Sequence, residues 1–212
     1  QITAEIRVNT TSVIVVGSDA IFNITLNRTI NTTVVLSVNG TKYDVAIVNG
    51  VGNFTVAHLK EGTYYINATY AGDDKYVGST SNTVQLNVTR MAAYIRANAT
   101  NATYGNASLI TVIVPQAQSG FVRITINGTD INVTVEIIAG TAKFNATGLN
   151  VGKYNVTVTY LGNNTYSSAV NSTEFYITPA DLNTTVIAQN VTVEQKTSFI
   201  ITVPDDFKGN VT

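Results

Sequence analysis

The feature that most constrains this chain is that it repeats itself. Asn39-Gly40-Thr41 recurs as Asn127-Gly128-Thr129, Phe54 as Phe144, Leu59 as Leu149, Gly62 as Gly152 and Tyr64 as Tyr154. The longer stretch from Tyr70 through Gly72, Asp73 and Asp74 to Tyr76 recurs from Tyr160 through Gly162, Asn163 and Asn164 to Tyr166, so the period is about 88 to 90 residues. A third copy begins near Ala180, where Val203-Pro204 and Gly209-Asn210-Val211 echo Val114-Pro115 and Gly120-Phe121-Val122, and it runs for about two strands. A period of domain size means that each copy carries its own core. The expected domains are 1–89, 90–178 and an incomplete third repeat over 179–212.

Within each copy the apolar residues alternate with polar ones in short segments rich in Val, Ile, Thr and Tyr, separated by Gly, Asn and Asp. Alternation places one face of a strand in a core and the other in water, and no stretch carries helical periodicity. The first copy reads as strands near residues 2–8, 13–16, 20–26, 33–38, 42–48, 52–57, 63–70 and 82–89, and the second repeats that order. Asn39-Gly40 and Asn127-Gly128 each sit between alternating runs, which predicts a two-residue hairpin at both places. Seven or so antiparallel strands in about 90 residues fit an immunoglobulin-like sandwich. The fold class expected is all-β, with tandem sandwiches arranged end to end.

Leu59-Lys60-Glu61-Gly62-Thr63-Tyr64 and Leu149-Asn150-Val151-Gly152-Lys153-Tyr154 have the pattern of a tyrosine corner, in which Tyr64 and Tyr154 would turn a hydroxyl onto backbone just upstream. This Leu-x-x-Gly-x-Tyr element, followed by Tyr-x-Gly-(Asp/Asn)-x-x-Tyr and a final strand, resembles the immunoglobulin-like repeats of large bacterial and archaeal surface proteins, in particular the adhesin-like proteins of methanogenic archaea. The resemblance covers essentially the whole chain. It implies a modular, extracellular, often heavily glycosylated protein whose repeats form a stalk.

Independently of that resemblance, the Asn-x-Thr/Ser tripeptide recurs far above chance. Ser and Thr make up about a fifth of the residues, so about five of the 24 Asn should begin such a tripeptide, and 20 do. In the first copy they are Asn9, Asn23, Asn27, Asn31, Asn39, Asn53, Asn67 and Asn87. The second copy has Asn98, Asn101, Asn106, Asn127, Asn132, Asn145, Asn155, Asn163 and Asn171, and Asn183, Asn190 and Asn210 follow. Asn and Thr two apart share one face of a strand, and Asn23-Ile24-Thr25, Asn53-Phe54-Thr55 and Asn155-Val156-Thr157 turn their apolar middle residue the other way. Asn is depleted in ordinary strands, so its frequency here calls for a cause. The tripeptide is the acceptor for N-glycosylation, and covalently attached N-glycans are the expected partners. The competing reading makes Asn and Thr plain solvent-facing residues.

Composition narrows the rest. Charged residues are 12% of the chain and the formal net charge is -1, which leaves no basic face for nucleic acid. Cysteine is absent, so neither disulfides nor thiolate metal sites are available. No apolar run approaches the roughly 20 residues of a membrane span. Gln1 to Thr10 lacks a basic start and an apolar core, so any targeting signal is expected to have been removed or to lie outside this segment.

Chemistry is equally sparse. His58 is the only histidine, with Gly148 its nearest counterpart in the second copy, and it reads as a loop residue. No carboxylate pair recurs in both copies, so catalysis and cofactors are not expected. Asp73-Asp74 and Asp205-Asp206 could offer oxygens to Ca²⁺, but they lack the spacing of a dedicated calcium loop and read as solvated turns. An isopeptide cross-link is not expected, because Arg7 and Arg96 stand in the first strands where a repeated Lys would be needed. Tyr70 with Tyr76, and Tyr160 with Tyr166, flank a Gly turn and would pack at a core or present a sugar platform, the first reading being preferred.

These observations together lead to the expectation of a glycosylated stalk or filament shaft of a cell-surface adhesin. The alternatives are a module that binds sugars or proteins on another cell, and a filament subunit whose third copy is completed by strands from a neighbouring chain. The apolar residues Ile187, Phe199, Ile201 and Val203 would need such partners or further strands of the same polypeptide.

Overall fold

The computed structural model describes residues 2–182 and 184–203, and every regular element among them is a β-strand. The first sandwich is built from β1 (Ile2–Thr3), β2 (Ile6–Asn9), β3 (Val13–Val15), β4 (Ala20–Leu26) and β5 (Thr32–Val38). It continues through β6 (Thr41–Ile47), β7 (Val51–Val56), β8 (Gly62–Gly72), β9 (Tyr76–Thr80) and β10 (Val84–Thr89). The second contains β11 (Arg96–Ala99), β12 (Ala102–Thr103), β13 (Ser108–Ile113), β14 (Ser119–Ile126), β15 (Asn132–Ile138), β16 (Thr141–Ala146), β17 (Gly152–Tyr160) and β18 (Ala169–Thr178). Beyond them β19 (Thr185–Ala188) and β20 (Phe199–Thr202) pair with each other.

In the first sandwich β2, β4 and β7 form one layer. The other layer runs β6, β5, β8, β10, β3, with β9 and β1 added beside β8. This is an immunoglobulin-like arrangement: the chain crosses from β2 on β4 in one sheet to the other sheet, where β3 runs parallel to β10. The second sandwich repeats the crossing, with β11 on β13 and β12 parallel to β18. There the single rung Ile138↔Thr141 joins β15 to β16, so its strands trace one continuous sheet of eight.

The alternation anticipated from the sequence is what fills the space between the layers. Along β4, Ala20, Phe22, Ile24 and Leu26 are buried while Ile21, Asn23 and Thr25 face out. Phe22, Leu36, Ile66, Tyr70 and Leu86 meet in the first core, and Ile110, Ile124, Val158, Tyr160 and Phe175 in the second.

The tyrosine corners are formed in both sandwiches. Tyr64 donates its hydroxyl hydrogen to the Lys60 carbonyl at 3.0 Å, and Tyr154 donates to the Asn150 carbonyl at 2.9 Å. Each ring lies half-buried against the core, and Tyr154 stacks on Phe175 with centroids 5.4 Å apart.

Three local expectations are corrected. The run 2–8 is two strands, β1 and β2, because the chain changes sheets at Ala4-Glu5. An extra strand, β9, follows the Tyr70–Tyr76 turn; it pairs with β8 at a glycine crossing, where a Cβ on Gly78 would stand 2.5 Å from the Ala71 carbonyl oxygen. The two Asn-Gly pairs also differ. Asn39-Gly40 is a two-residue hairpin with φ of 47° and 85°, whereas the strands around Asn127-Gly128 are separated by residues 127–131. The second loop is three residues longer, and within it the Thr129 hydroxyl donates to the Ile126 carbonyl at 2.8 Å and accepts the Ile131 N–H at 3.2 Å, whereas Thr41 at the same place opens β6. Side-chain bonds of this kind satisfy backbone groups that a longer loop leaves without ladder partners.

Between the sandwiches there is almost no slack. β10 ends at Thr89, and Met91 already bridges Tyr166 in parallel, with its N–H donating to the Thr165 carbonyl at 2.8 Å. Arg90, between them, pairs with Glu61 at 2.7 Å. The β19–β20 hairpin leaves Val186, Ile187, Phe199, Ile200 and Ile201 exposed.

Tyr154→Phe should lower the unfolding free energy by about 1 kcal/mol through loss of the corner hydrogen bond alone, and Tyr64→Phe should do the same in the first sandwich. Urea denaturation of the two variants checks this, and unchanged midpoints would remove the corner from the list of stabilising contacts.

Candidate glycan-acceptor surface

The alternation that buries the core also decides where the tripeptide asparagines go. Of the 18 within the described residues, 15 are exposed, Asn67, Asn87 and Asn171 are half-buried, and none is buried. Asn183 and Asn210 lie outside the described residues, as do Asp205 and Asp206.

The strands bring some acceptors together. On the outer face of the β2-β4-β7 layer, Asn9 pairs with Asn23 and Asn23 with Asn53, so three acceptors stand in one row across three strands. Directly opposed positions of neighbouring strands lie about 4.5 to 5.5 Å apart. The equivalent row of the second sandwich is Asn98, Thr111, Lys143, with a single acceptor. On the β15-β14-β17-β18 layer, Asn132 stands beside Thr125, which faces Thr157 of the Asn155 tripeptide.

Asn171 is the exception in direction. It pairs with Val158, whose side chain is fully buried, so it shares the core-facing side of β18 near the end of the sandwich.

Several amides are held by their oxygen alone. Oδ1 of Asn27 accepts the Glu5 N–H at 2.9 Å, that of Asn31 the Asn49 N–H at 2.8 Å, and that of Asn101 the Tyr176 N–H at 2.9 Å. Oδ1 of Asn87 accepts the Thr63 hydroxyl at 3.0 Å and Gln85 Nε2 at 3.1 Å. In all four the nitrogen that would carry a sugar makes no hydrogen bond among the described residues.

The turn between the paired tyrosines has the same shape in both copies and a different chemistry. Asp73 Oδ1 accepts the Lys75 and Tyr76 N–H groups at 2.7 and 2.8 Å, and Asn163 Oδ1 accepts those of Thr165 and Tyr166, each at 2.8 Å. These backbone donors, joined by the Tyr70 hydroxyl, hold the Asp73 carboxyl below its ordinary range. Tyr70 donates to Asp73 Oδ2 at 2.9 Å, and burial followed by that bond pushes its own pKa up. The corresponding Tyr160 hydroxyl is buried and has no hydrogen-bond partner among the described residues, and burial also raises its pKa. Tyr70 and Tyr160 are core residues, with Tyr76 and Tyr166 packed at the margin, so the rings form no exposed platform.

His58 is an exposed loop residue at φ 58°, and its counterpart Gly148 has φ 71°, so a left-handed position is kept in both copies. Among the described residues no three of His, Cys, Asp and Glu gather where they could hold a metal.

Sequence reasoning missed Ser79, whose hydroxyl donates to the Ala4 carbonyl and accepts the Ile6 N–H at 3.1 Å, fixing the point where the opening strand changes sheets. Beside it an open cleft runs past Arg7, Asn9, Asn23 and Asn82. No spacing in the sequence links position 79 to positions 4 and 6; only the alignment of β9 with β1 does.

No protein-family model matches this chain, and no curated protein matches it. Among solved structures it is similar to the fibronectin(III)-like modules of CbhA from Clostridium thermocellum, at 14% identity and TM-score 0.36, covering 81% of this chain and 94% of that one. A beta-glucuronidase from Parabacteroides merdae matches at 14% identity and TM-score 0.32, over 82% of this chain and 25% of that one. Latent PorU from Porphyromonas gingivalis matches at 12% identity and TM-score 0.33, over 93% of this chain and 26% of that one. Scores this low carry no argument, and the architecture rests on the strand pairing described above. No helix is long and apolar enough to cross a membrane among the described residues.

The two tyrosine turns should respond oppositely to the same change. Tyr70→Phe removes a made hydrogen bond and should destabilise, whereas Tyr160→Phe removes an unpartnered buried hydroxyl and should leave stability unchanged or raise it by up to about 1 kcal/mol. Thermal unfolding of both variants tests the contrast, which equal losses would contradict.

Proposed function

We propose that this chain is an N-glycosylated structural segment, a stalk or filament shaft, of a prokaryotic cell-surface adhesin of archaeal type, located outside the cell and without catalytic activity. The observation that carries this reading is the placement of the acceptor tripeptides: among the described residues none of their asparagines is buried, and Asn171 alone shares the core-facing side of its strand. Glycans on those faces would cover exposed strand edges against pairing with neighbouring chains. The mechanical part of the proposal is supported by the linker. With only Arg90 between the last strand of one sandwich and the first bridge of the next, modules would stack end to end as a semi-stiff rod, and Pro179 takes the place of Arg90 after the second sandwich.

A second reading, a filament subunit assembled by strands from an adjacent chain, is favoured by the uncovered apolar side chains of β19 and β20. Binding of sugars or proteins on other cells by the loops is a weaker alternative, because the described loops are short.

Glycopeptide mass spectrometry of native material should find sugar on tryptic peptides from both sandwiches, and bare asparagine throughout would return Asn and Thr to the role of plain polar surface. Small-angle scattering should give the distance distribution of an elongated particle; a compact globule would contradict the rod.

A further inference from the structure

Asn39 is exposed and begins a perfect acceptor tripeptide, yet the fold already uses its amide. Its Nδ2 donates to the Thr63 carbonyl at 3.2 Å, and its Oδ1 accepts the Tyr65 N–H at 2.7 Å. Its backbone N–H donates to the Tyr65 carbonyl at 3.0 Å. The side chain thus takes over the rungs of the β5–β8 ladder at the point where β5 turns away into the Asn39-Gly40 hairpin.

The chemistry of the linkage makes this decisive. Thr63 C=O and Tyr65 N–H lie two residues apart on one edge of β8, so a single amide can meet both only with its oxygen and the amide hydrogen on the same side as that oxygen. In an N-glycosidic bond the sugar C1 replaces one of the two hydrogens on Nδ2, and the resulting secondary amide is trans. Trans geometry puts C1 opposite Cβ and therefore on the oxygen side, at the position of the hydrogen given to Thr63. A sugar there either breaks the clamp or forces a disfavoured cis amide.

We propose, resting on the glycoprotein reading, that the folded protein sorts its acceptors, and that Asn39 is a structural asparagine closed to glycosylation while Asn127, its counterpart, is open. Asn127 has the same Asn-Gly-Thr tripeptide at the same place in the repeat. It is exposed, its hairpin is the longer one, with Thr129 bonded to the Ile126 and Ile131 backbone, and its side-chain amide makes no hydrogen bond among the described residues. Transfer to folded protein cannot reach the clamped hydrogen of Asn39, and transfer before folding yields chains that must give up the clamp. Either route depletes the modified form. Asn106 also donates from Nδ2, at 2.6 Å to Thr103 Oγ1, but its Oδ1 makes no hydrogen bond among the described residues, so its second hydrogen can serve there.

The test is site occupancy in glycoprotein from its native source. Trypsin releases Asn39 on the peptide 29–42 together with Asn31, and Asn127 on the peptide 124–143 together with Asn132. Electron-transfer fragmentation then assigns the sugar within each peptide. Sugar on Asn127 with bare Asn39 is the expected result. Sugar on both overturns the sorting while leaving the glycoprotein reading intact, and bare asparagine at every acceptor overturns both. The clamp itself is read by amide hydrogen exchange. Asn39→Gly, which keeps the left-handed turn, should speed exchange at Tyr65 about tenfold, and Asn127→Gly should leave its neighbours unchanged. Unaltered exchange at Tyr65 in Asn39→Gly would overturn the proposal without reference to any sugar.

Discussion

Every feature described here depends on the two-residue alternation of the extended chain. A strand sends successive side chains to opposite faces, so a sheet packed on one side commits every second residue to the core and leaves its neighbours to water. Ile24 and Val156 are therefore buried because Asn23 and Asn155 are not. The same geometry that makes Phe22 and Tyr160 core residues turns the intervening positions outward, Asn and Thr prominent among them. An acceptor tripeptide has an asparagine and a hydroxyl residue two apart, so it fits that period without disturbing the core between them.

A sandwich with a strictly alternating pattern has few ways of closing its ends, and here closure is carried by polar groups. The hydroxyls of Tyr64 and Tyr154 pin the crossover before β8 and β17 to backbone carbonyls, and Ser79 pins the switch of the opening strand. Asp73 and Asn163 each cap a turn with one side-chain oxygen. Burial and hydrogen bonding act together at these points, because a backbone group left dry and unpaired costs more than a surface contact gains. The Tyr160 hydroxyl, without a hydrogen-bond partner among the described residues, lies where the second copy has exchanged a carboxylate for an amide that is also an acceptor site. In that exchange the surface pattern and the turn chemistry pull on one residue.

Much of this was legible in the residues themselves. The repeat, the all-β class, the strand segments around 20–26, 33–38 and 52–57, and the Leu-x-x-Gly-x-Tyr element with its tyrosine all follow from local order, and the structure places strands and hydrogen bonds there. What escaped was set by contacts between distant segments. β9 has no strong alternation of its own and exists because Gly72 and Gly78 allow close approach of its backbone to β8. The hairpin at Asn127 carries the same Asn-Gly-Thr as that at Asn39 but is three residues longer, with Thr129 bonding to backbone inside it.

The sequence alone determined which face of each strand is wet, how many acceptors there are and how often the unit recurs, because these depend on residue type and spacing along one chain. Which acceptors stand in a row, as Asn9, Asn23 and Asn53 do, and which amide is already engaged, as that of Asn39 is, only the tertiary structure decided. The physical reason is register: the groups that hold Asn39 belong to Thr63 and Tyr65, and nothing but the pairing of β5 with β8 brings that edge to the hairpin.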